Sequence, residues 1–311
     1  MASLKRPVTD IMNDTMLPKK SKTVYEKAWQ DFKTYVGDKS PEEEDFLQYF
    51  DYLHTERNLK SSTLWTTYSQ LNTKYQIECN KKLQDYPRIQ QLLKRYEDGY
   101  VRKVASVLTK EELDRFLKEA DDEPYLLVRK TVAVLAVCGG LRCQEVRDIR
   151  RMDVKKVENR YEVRLVRRKQ RGEEKSSLFI VPDGIMADIL GRYLNKTNAK
   201  LQMKLNGESP LILGCPKNRN KDEHAFVNQP MGKNYLYNIG KDIARYLNLE
   251  NPDTYTGHCF RRSSATMAAD AGITAPELQR HFQWSSSKTA QRYIEESSVG
   301  ANKVANIFQV R

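Results

Sequence analysis

The sequence predicts a mainly α protein with one small β-sheet, organised as two domains. Three observations carry that expectation. Apolar residues recur at helical spacing along most of the chain, one alternating stretch near its middle reads as a β-hairpin, and the helical period fails over residues 98–107. With 311 residues, 39% apolar and 30% charged, the chain is long enough for each domain to bury a core of its own.

Residues 1–22 are polar and unpatterned and are read as a disordered basic arm. Its clusters, Lys5-Arg6 and Pro18-Lys19-Lys20-Ser21-Lys22, suit either nuclear import or contacts to phosphate. Four amphipathic helices are expected over residues 23–97. In the first, Val24, Ala28, Phe32 and Val36 recur every four residues. The second starts at Ser40-Pro41-Glu42-Glu43, with an N-cap serine, a proline at the first helical position and a capping-box glutamate, ahead of Phe46, Tyr49, Phe50 and Leu53. A third after Ser61-Ser62 carries Leu64, Tyr68, Leu71 and Tyr75, and a fourth after Pro87 carries Ile89, Leu92, Leu93 and Tyr96. These aromatics are read as core rather than as platforms for stacking bases. Residues 98–107, with Gly99, Arg102 and Lys103, form the expected linker.

The second domain, 108–311, opens at a further capping box, Thr109-x-x-Glu112, and is helical to about Ile149. Tyr161, Val163 and Leu165 then alternate, Gly172 sits in a charged turn, and Ser177–Val181 is a second short apolar run before Pro182. This pattern predicts a hairpin with a long tip. Helices return after it, and Val304, Ile307 and Phe308 near the end form a helical stripe too short to be stable alone.

Composition narrows the class of partner. Lys and Arg number 53 against 41 Asp and Glu, a net charge of +12, which favours a polyanion through long-range attraction. Residues 147–175 hold twelve Lys/Arg against six Asp/Glu, a pattern that suits a basic face around the hairpin or a merely solvated hairpin. No apolar run approaches the roughly 20 residues that span a bilayer, and the N-terminus lacks the apolar core of a secretory signal, so a soluble intracellular protein without a membrane partner is expected. The five cysteines, Cys79, Cys138, Cys143, Cys215 and Cys259, are odd in number and never spaced as a CxxC pair. Reduced thiols are expected rather than a disulfide framework or a structural zinc site.

Four segments are candidates for chemistry, and none decides the matter alone. In Gly139-Gly140-Leu141-Arg142-Cys143-Gln144-Glu145 two glycines end an apolar helix and an arginine opens the next, which by itself reads as an ordinary helix junction. His258 and Arg261, three residues apart at a helix start, share a face from which both could reach one phosphate, although alone they read as a helix-start histidine with a solvated arginine. Trp284 is followed nine residues later by Tyr293, across Ser285-Ser286-Ser287-Lys288, and one of seventeen tyrosines is by itself more often packing than nucleophile. The hairpin tip, Arg168-Lys169-Gln170-Arg171-Gly172-Glu173-Glu174-Lys175, ordinarily reads as a solvated turn.

Taken in order, these segments resemble the tyrosine recombinases, or phage-type integrases. The run GHCFRRSSATMAADAGITAPELQRHFQWSSSKTAQRYIEE is similar to that family's C-terminal active-site segment: Gly-His-x-x-Arg, an alanine-rich helix ending in Ala-Gly, a Pro-Glu-bearing helix, His or Trp, and a tyrosine nine residues on. Gly140-Leu141-Arg142-x-x-Glu145 resembles its first arginine box. Trp284, where most members have histidine, resembles the Cre-type ending, and the four-helix region resembles the core-binding domain. The basic N-terminal clusters point to the eukaryotic, Crypton-like branch of mobile-element recombinases. One departure stands out, since the family's usual Leu-Gly-His is here Phe282-Gln283-Trp284 and a glycine turn is missing. The resemblance implies a helical core-binding domain that clamps DNA, followed by a mixed α/β catalytic domain with a C-terminal exchange tail.

The chemistry that it implies is DNA breakage and rejoining through a 3′-phosphotyrosine. Attack on a phosphodiester accumulates negative charge, so fixed cations on the non-bridging oxygens are needed, and Arg142 and Arg261 supply planar forks that are always charged. His258 donates to the phosphate or accepts the tyrosyl proton, Trp284 offers an indole N–H, and Tyr293 attacks phosphorus. Glu145 reads as a supporting residue that orients a cation, or as a surface charge pair. Lys169, crowded by Arg167, Arg168 and Arg171, is the expected general acid, with Lys175 as the alternative. No cofactor is needed for this reaction. Double-stranded DNA is the expected partner, bound by a homotetramer, with a nuclear location if the host is eukaryotic and a cytoplasmic one otherwise. A catalytically silent DNA-binding protein of the same fold, a type IB topoisomerase-like strand-passage enzyme and, more distantly, a helix-turn-helix regulator remain open.

Overall fold

A computed structural model describes residues 7–17, 21–101, 104–168, 174–201, 205–217 and 224–297. The chain divides into two compact units, Met1–Lys103 and Val104–Arg311. The first is all helical: α1 (Val8–Met16), α2 (Lys22–Val36), α3 (Glu43–Thr55), α4 (Ser61–Cys79) and α5 (Pro87–Arg95). Its core is aromatic. Phe32 and Phe46 stack at 4.4 Å, Phe50, Tyr68 and Tyr75 are buried with Leu64 and Leu71, and the Tyr75 hydroxyl donates to the Pro41 carbonyl at 2.9 Å. The expected assignment of these rings to the interior agrees with their burial.

Three expectations for this unit need correction. A strict four-residue repeat drifts around a helix of 3.6 residues per turn, so the buried face of α2 is Trp29 and Phe32 with Val36 packed beside them, while Val24 is 52% exposed. The second helix begins two residues later than its proline suggests: Glu42 is the N-cap and shares a capping box with Asp45, whose carboxylate accepts the Glu42 N–H at 2.9 Å. The arm also holds a helix. No residue of α1 itself is buried, and what ties it down is polar: Lys74, fully buried in α4, donates to the Asn13 side chain at 3.2 Å and pairs with Glu26 and Glu78. Apolar periodicity carries no trace of such an attachment.

The second unit begins with an extended segment. Ser106 N–H donates to the Thr254 carbonyl at 3.1 Å, Leu108 N–H to Ser263 Oγ at 2.8 Å, and the Arg262 guanidinium to the Ala105 carbonyl, so residues 105–108, expected to belong mostly to the linker, are fastened to this unit. The Thr109–Glu112 capping box then starts α6 (Lys110–Glu119). The apolar helix α7 (Pro124–Cys138) and short α8 (Cys143–Asp148) lead into a three-stranded antiparallel sheet of β1 (Val154–Val157), β2 (Arg160–Arg168) and β3 (Glu174–Val181). Tyr161, Val163, Leu165, Phe179 and Val181 face the core, with Val163 opposite Phe179. β1 is an addition to the expected hairpin. Its Lys155 and Lys156 are both exposed, which hides the alternation, and a tight turn with Glu158 at φ 52° joins it to β2.

After the sheet come α9 (Ile185–Leu201), the two-stranded pair β4 (Leu213–Gly214) and β5 (Val227–Pro230), α10 (Lys233–Tyr246), α11 (Cys259–Asp270), α12 (Ala275–Phe282) and α13 (Ser287–Glu296). α11 packs between α7 and the α12–α13 pair, which brings three distant sequence segments to one end of the unit. No helix among the described residues is long and apolar enough to cross a membrane. The hairpin tip with Lys169 and the terminal stripe of Val304, Ile307 and Phe308 lie outside the described residues.

Candidate active site

Gly139-Gly140 ends α7, and Gly140 adopts φ +55° so that the chain can turn directly into α8. A side chain there would also run into the Phe282 ring. The turn leaves Arg142 as the N-cap of α8, with its side chain 48% exposed. Glu145, on the first turn, accepts the Arg142 backbone N–H at 2.8 Å and its guanidinium Nη1 at 3.0 Å. One carboxylate therefore caps the helix and aims the arginine. This is more than a surface pair, because the Glu145 side chain is only 14% exposed.

Arg261 carries the same charge in the opposite environment. It lies in the first turn of α11 and is 6% exposed. Its Nη1 donates to the Gly140 carbonyl and its Nη2 to the Phe282 carbonyl at 2.5 Å. The guanidinium carbon also lies 5.3 Å from the Phe282 ring centroid and 5.6 Å from that of Trp284, within range of cation–π attraction. Arg261 thus ties the Arg142 box, its own helix and the α12–α13 turn into one cluster.

His258 is the N-cap of α11, two residues after Thr256, whose carbonyl accepts the Cys259 N–H. Its outer face meets solvent, while desolvation of the rest of the ring lowers its pKa from 6.5, and the positive fields of Arg142 and Arg261 lower it further. Both arginines are therefore its electrostatic neighbours, and at neutral pH the ring is uncharged and able to accept a proton. Arg142 and His258 line a cleft of about 240 Å³ together with Arg147, Lys233 and Tyr237. The last three were not expected at the site. Nothing in their local sequence distinguishes them, since only the packing of α10 against α8 brings Lys233 and Tyr237 to the arginine box.

Gln283 takes the left-handed conformation that the missing glycine would favour, φ 50° and ψ 46°, as the C-cap of α12. The turn is thus made without glycine. It sets Phe282 and Trp284 parallel, with centroids 4.7 Å apart and planes at 11°, and Trp284 in turn stacks on Tyr293 at 5.4 Å and 2°. Phe282 is fully buried in a small cluster with Ala265, Ala269, Leu278 and Ala290, against which Trp284 and Tyr293 pack. The sequence marked Phe282 only as a departure, whereas its ring is the base of a three-ring stack that ends at Tyr293.

Arg142, Glu145, His258, Arg261, Trp284 and Tyr293 are thereby linked through shared contacts, fields and stacks. Lys169 lies outside the described residues. Of Lys175 the backbone is described, within β3 opposite Arg167 rather than ahead of the strand as expected. Among the described residues no group of three or more His, Cys, Asp or Glu is placed to hold a metal ion.

Residues 106–298 match the family described as the phage integrase family. No curated protein sequence matches the chain. Among solved structures, the Tn1549 transposon integrase in complex with circular intermediate DNA has a TM-score of 0.62 at 16% identity, covering 92% of this chain and 94% of that one. A lambda integrase dimer bound to a COC′ core site gives 0.53 at 14% identity, covering 92% of each. The site-specific recombinase XerH bound to difH substrate, in a pre-cleavage complex, gives 0.52 at 15% identity, covering 98% of this chain and 84% of that one. At these identities the likeness is one of fold.

Proposed function

This chain belongs to the phage integrase family, the tyrosine recombinases, and on that premise we propose that it is an active enzyme that breaks and rejoins DNA through Tyr293. The observation that carries the reading is the Arg261 cluster. One buried guanidinium joins the Arg142 box to the turn that leads to Trp284 and Tyr293, an arrangement a DNA-binding protein without turnover does not need. In the proposed reaction Arg142, and whatever N–H of Arg261 faces the substrate, hold the non-bridging oxygens as charge builds on phosphorus. Glu145 keeps Arg142 aimed. His258, neutral before reaction, takes the tyrosyl proton, and Tyr293 forms the 3′-phosphotyrosine while the 5′-oxygen departs. The bond energy is kept in the adduct, so a second strand's 5′-hydroxyl can displace the tyrosine.

Protonation of the leaving oxygen is assigned to Lys169, with Lys175 as the alternative. Both units are proposed to grip duplex DNA, with four copies assembling on it and the terminal stripe docking on a neighbouring copy. The basic N-terminal clusters support a eukaryotic mobile-element origin, Crypton-like, and a nuclear location. The test is incubation with libraries of nicked duplexes and sequencing of the covalently trapped strands. A trapped set sharing a site supports a site-specific recombinase, trapping without a shared site supports a topoisomerase-like enzyme, and no trapping on any duplex would leave a silent DNA-binding protein.

A further inference from the structure

The N-terminus of α4 lies beside a cleft of about 460 Å³ in the first unit, lined by His54, Asn58, Lys60, Ser61, Tyr96 and Tyr100 among others. Two buried polar atoms at this cleft have no hydrogen-bond partner among the described residues: Ser61 Oγ and His54 Nδ1. Ser61 is 4% exposed, and a buried hydroxyl without a partner is destabilising, so an apolar residue would be the better choice if the position served folding alone. The helix end is also uncapped. Lys60 is its N-cap residue and supplies no side-chain bond, and although Thr63 and Leu64 N–H donate to the Lys60 carbonyl, the Ser61 and Ser62 N–H groups have no such acceptor among the described residues. α4 has 19 residues, so its free N–H groups and the positive end of its dipole point to where an anion would sit. Lys60 is exposed at the same mouth.

The two tyrosines at the cleft are occupied. Tyr96 donates its hydroxyl to Asp51 and stacks on His54 at 3.9 Å, and Tyr100 donates to Ser62 Oγ at 3.3 Å. The Tyr96 hydroxyl covers one oxygen of the Asp51 carboxylate. Remaining unused are a hydroxyl, two backbone N–H groups, an imidazole nitrogen, an ammonium and the Asn58 side-chain amide, through its NH2. All can donate, a set complementary to a tetrahedral oxyanion.

We propose that the cleft at the start of α4 is a phosphate site, in which the Ser61 hydroxyl, the Ser61 and Ser62 N–H groups and the Lys60 ammonium hold a phosphate diester of the DNA backbone. The assignment of the ligand to DNA rests on the reading of the chain as a recombinase. The site itself does not. Because such a contact reads no base, it strengthens binding to every sequence equally and sets where the first unit sits along the duplex.

The experiment measures full-length wild type, Ser61→Ala and Lys60→Gln for thermal midpoint, for affinity to a random-sequence duplex over a range of salt, and for amide shifts of Ser61 and Ser62 on titration with inorganic phosphate. Ser61→Ala is expected to leave the thermal midpoint unchanged or raised, since it removes an unpaired hydroxyl, while weakening DNA binding about 3- to 10-fold. Lys60→Gln, an exposed change that folding tolerates, is expected to lower the slope of log affinity against log salt by about 1. Unchanged DNA affinity in Ser61→Ala, or a weakened affinity that only follows a lowered midpoint, would overturn the proposal. If the wild type binds no duplex at all, the recombinase reading fails separately. Phosphate-induced shifts at Ser61 and Ser62 that Ser61→Ala abolishes would then retain the site with a free phosphate as its ligand, and their absence would remove it.

Discussion

Arg142 and Arg261 are both guanidinium groups at a helix start, yet they fail differently when replaced by lysine. Arg142 is half exposed and bonds to Glu145, so Arg142→Lys should change stability by less than about 0.5 kcal/mol while cleavage falls by orders of magnitude. Arg261→Lys also loses a fork that serves two buried carbonyls at once, and lysine's single nitrogen cannot span both. It should cost about 2–4 kcal/mol of stability in addition to activity, read by denaturant unfolding beside the cleavage assay. His258 sets the pH dependence. Its folded pKa is depressed, so charging it opposes the fold, and the stability it contributes is lost as pH falls below its ordinary value of 6.5 toward the depressed one. The acid limb of the cleavage profile is accordingly expected below pH 6.5 in the wild type and absent in His258→Gln, whose residual activity should be flat there.

At the level of elements, the turn between α12 and α13 shows what a motif conveys and what it leaves out. Gly140 and Phe282 occupy complementary volume, so Gly140→Ala should destabilise by about 2–3 kcal/mol through the ring contact and the positive φ together. Phe282→Leu should relieve part of that cost, giving a coupling of about 1 kcal/mol in a double-mutant cycle. Gln283→Gly should stabilise by roughly 1 kcal/mol, because glycine adopts φ 50° without the side-chain penalty. The spacing of Arg142, His258, Arg261, Trp284 and Tyr293 was legible in the sequence because the first four sit at helix ends with local signatures and Tyr293 follows Trp284 at a fixed interval within α13. The aromatic stack and the Arg261 bonds were not legible, since they depend on which helix faces which. The same holds for α1, attached by Asn13 and Lys74, and for β1, whose exposed lysines carry no alternation. For the hairpin, a substrate with sulfur as its leaving atom needs no proton, so it should restore cleavage to Lys169→Ala, while Lys175→Ala behaves as wild type on both substrates. Rescue of the Lys175 variant instead would move the role to that residue.

For the molecule as a whole, the net charge of +12 and the family's chemistry point to the same partner. Affinity for duplex DNA should fall steeply between low and high salt as condensed counterions are released. What separates a recombinase from a DNA-binding protein, however, is a single covalent bond rather than binding. Its most direct measurement is peptide mass spectrometry of the adduct formed on a nicked duplex, with Tyr293→Phe run in parallel. The prediction is one phosphonucleotide-modified peptide bearing Tyr293, and normal DNA binding without any adduct in Tyr293→Phe, which keeps the ring and its stack on Trp284. An adduct mapped to another residue, or one that persists in Tyr293→Phe, would contradict it.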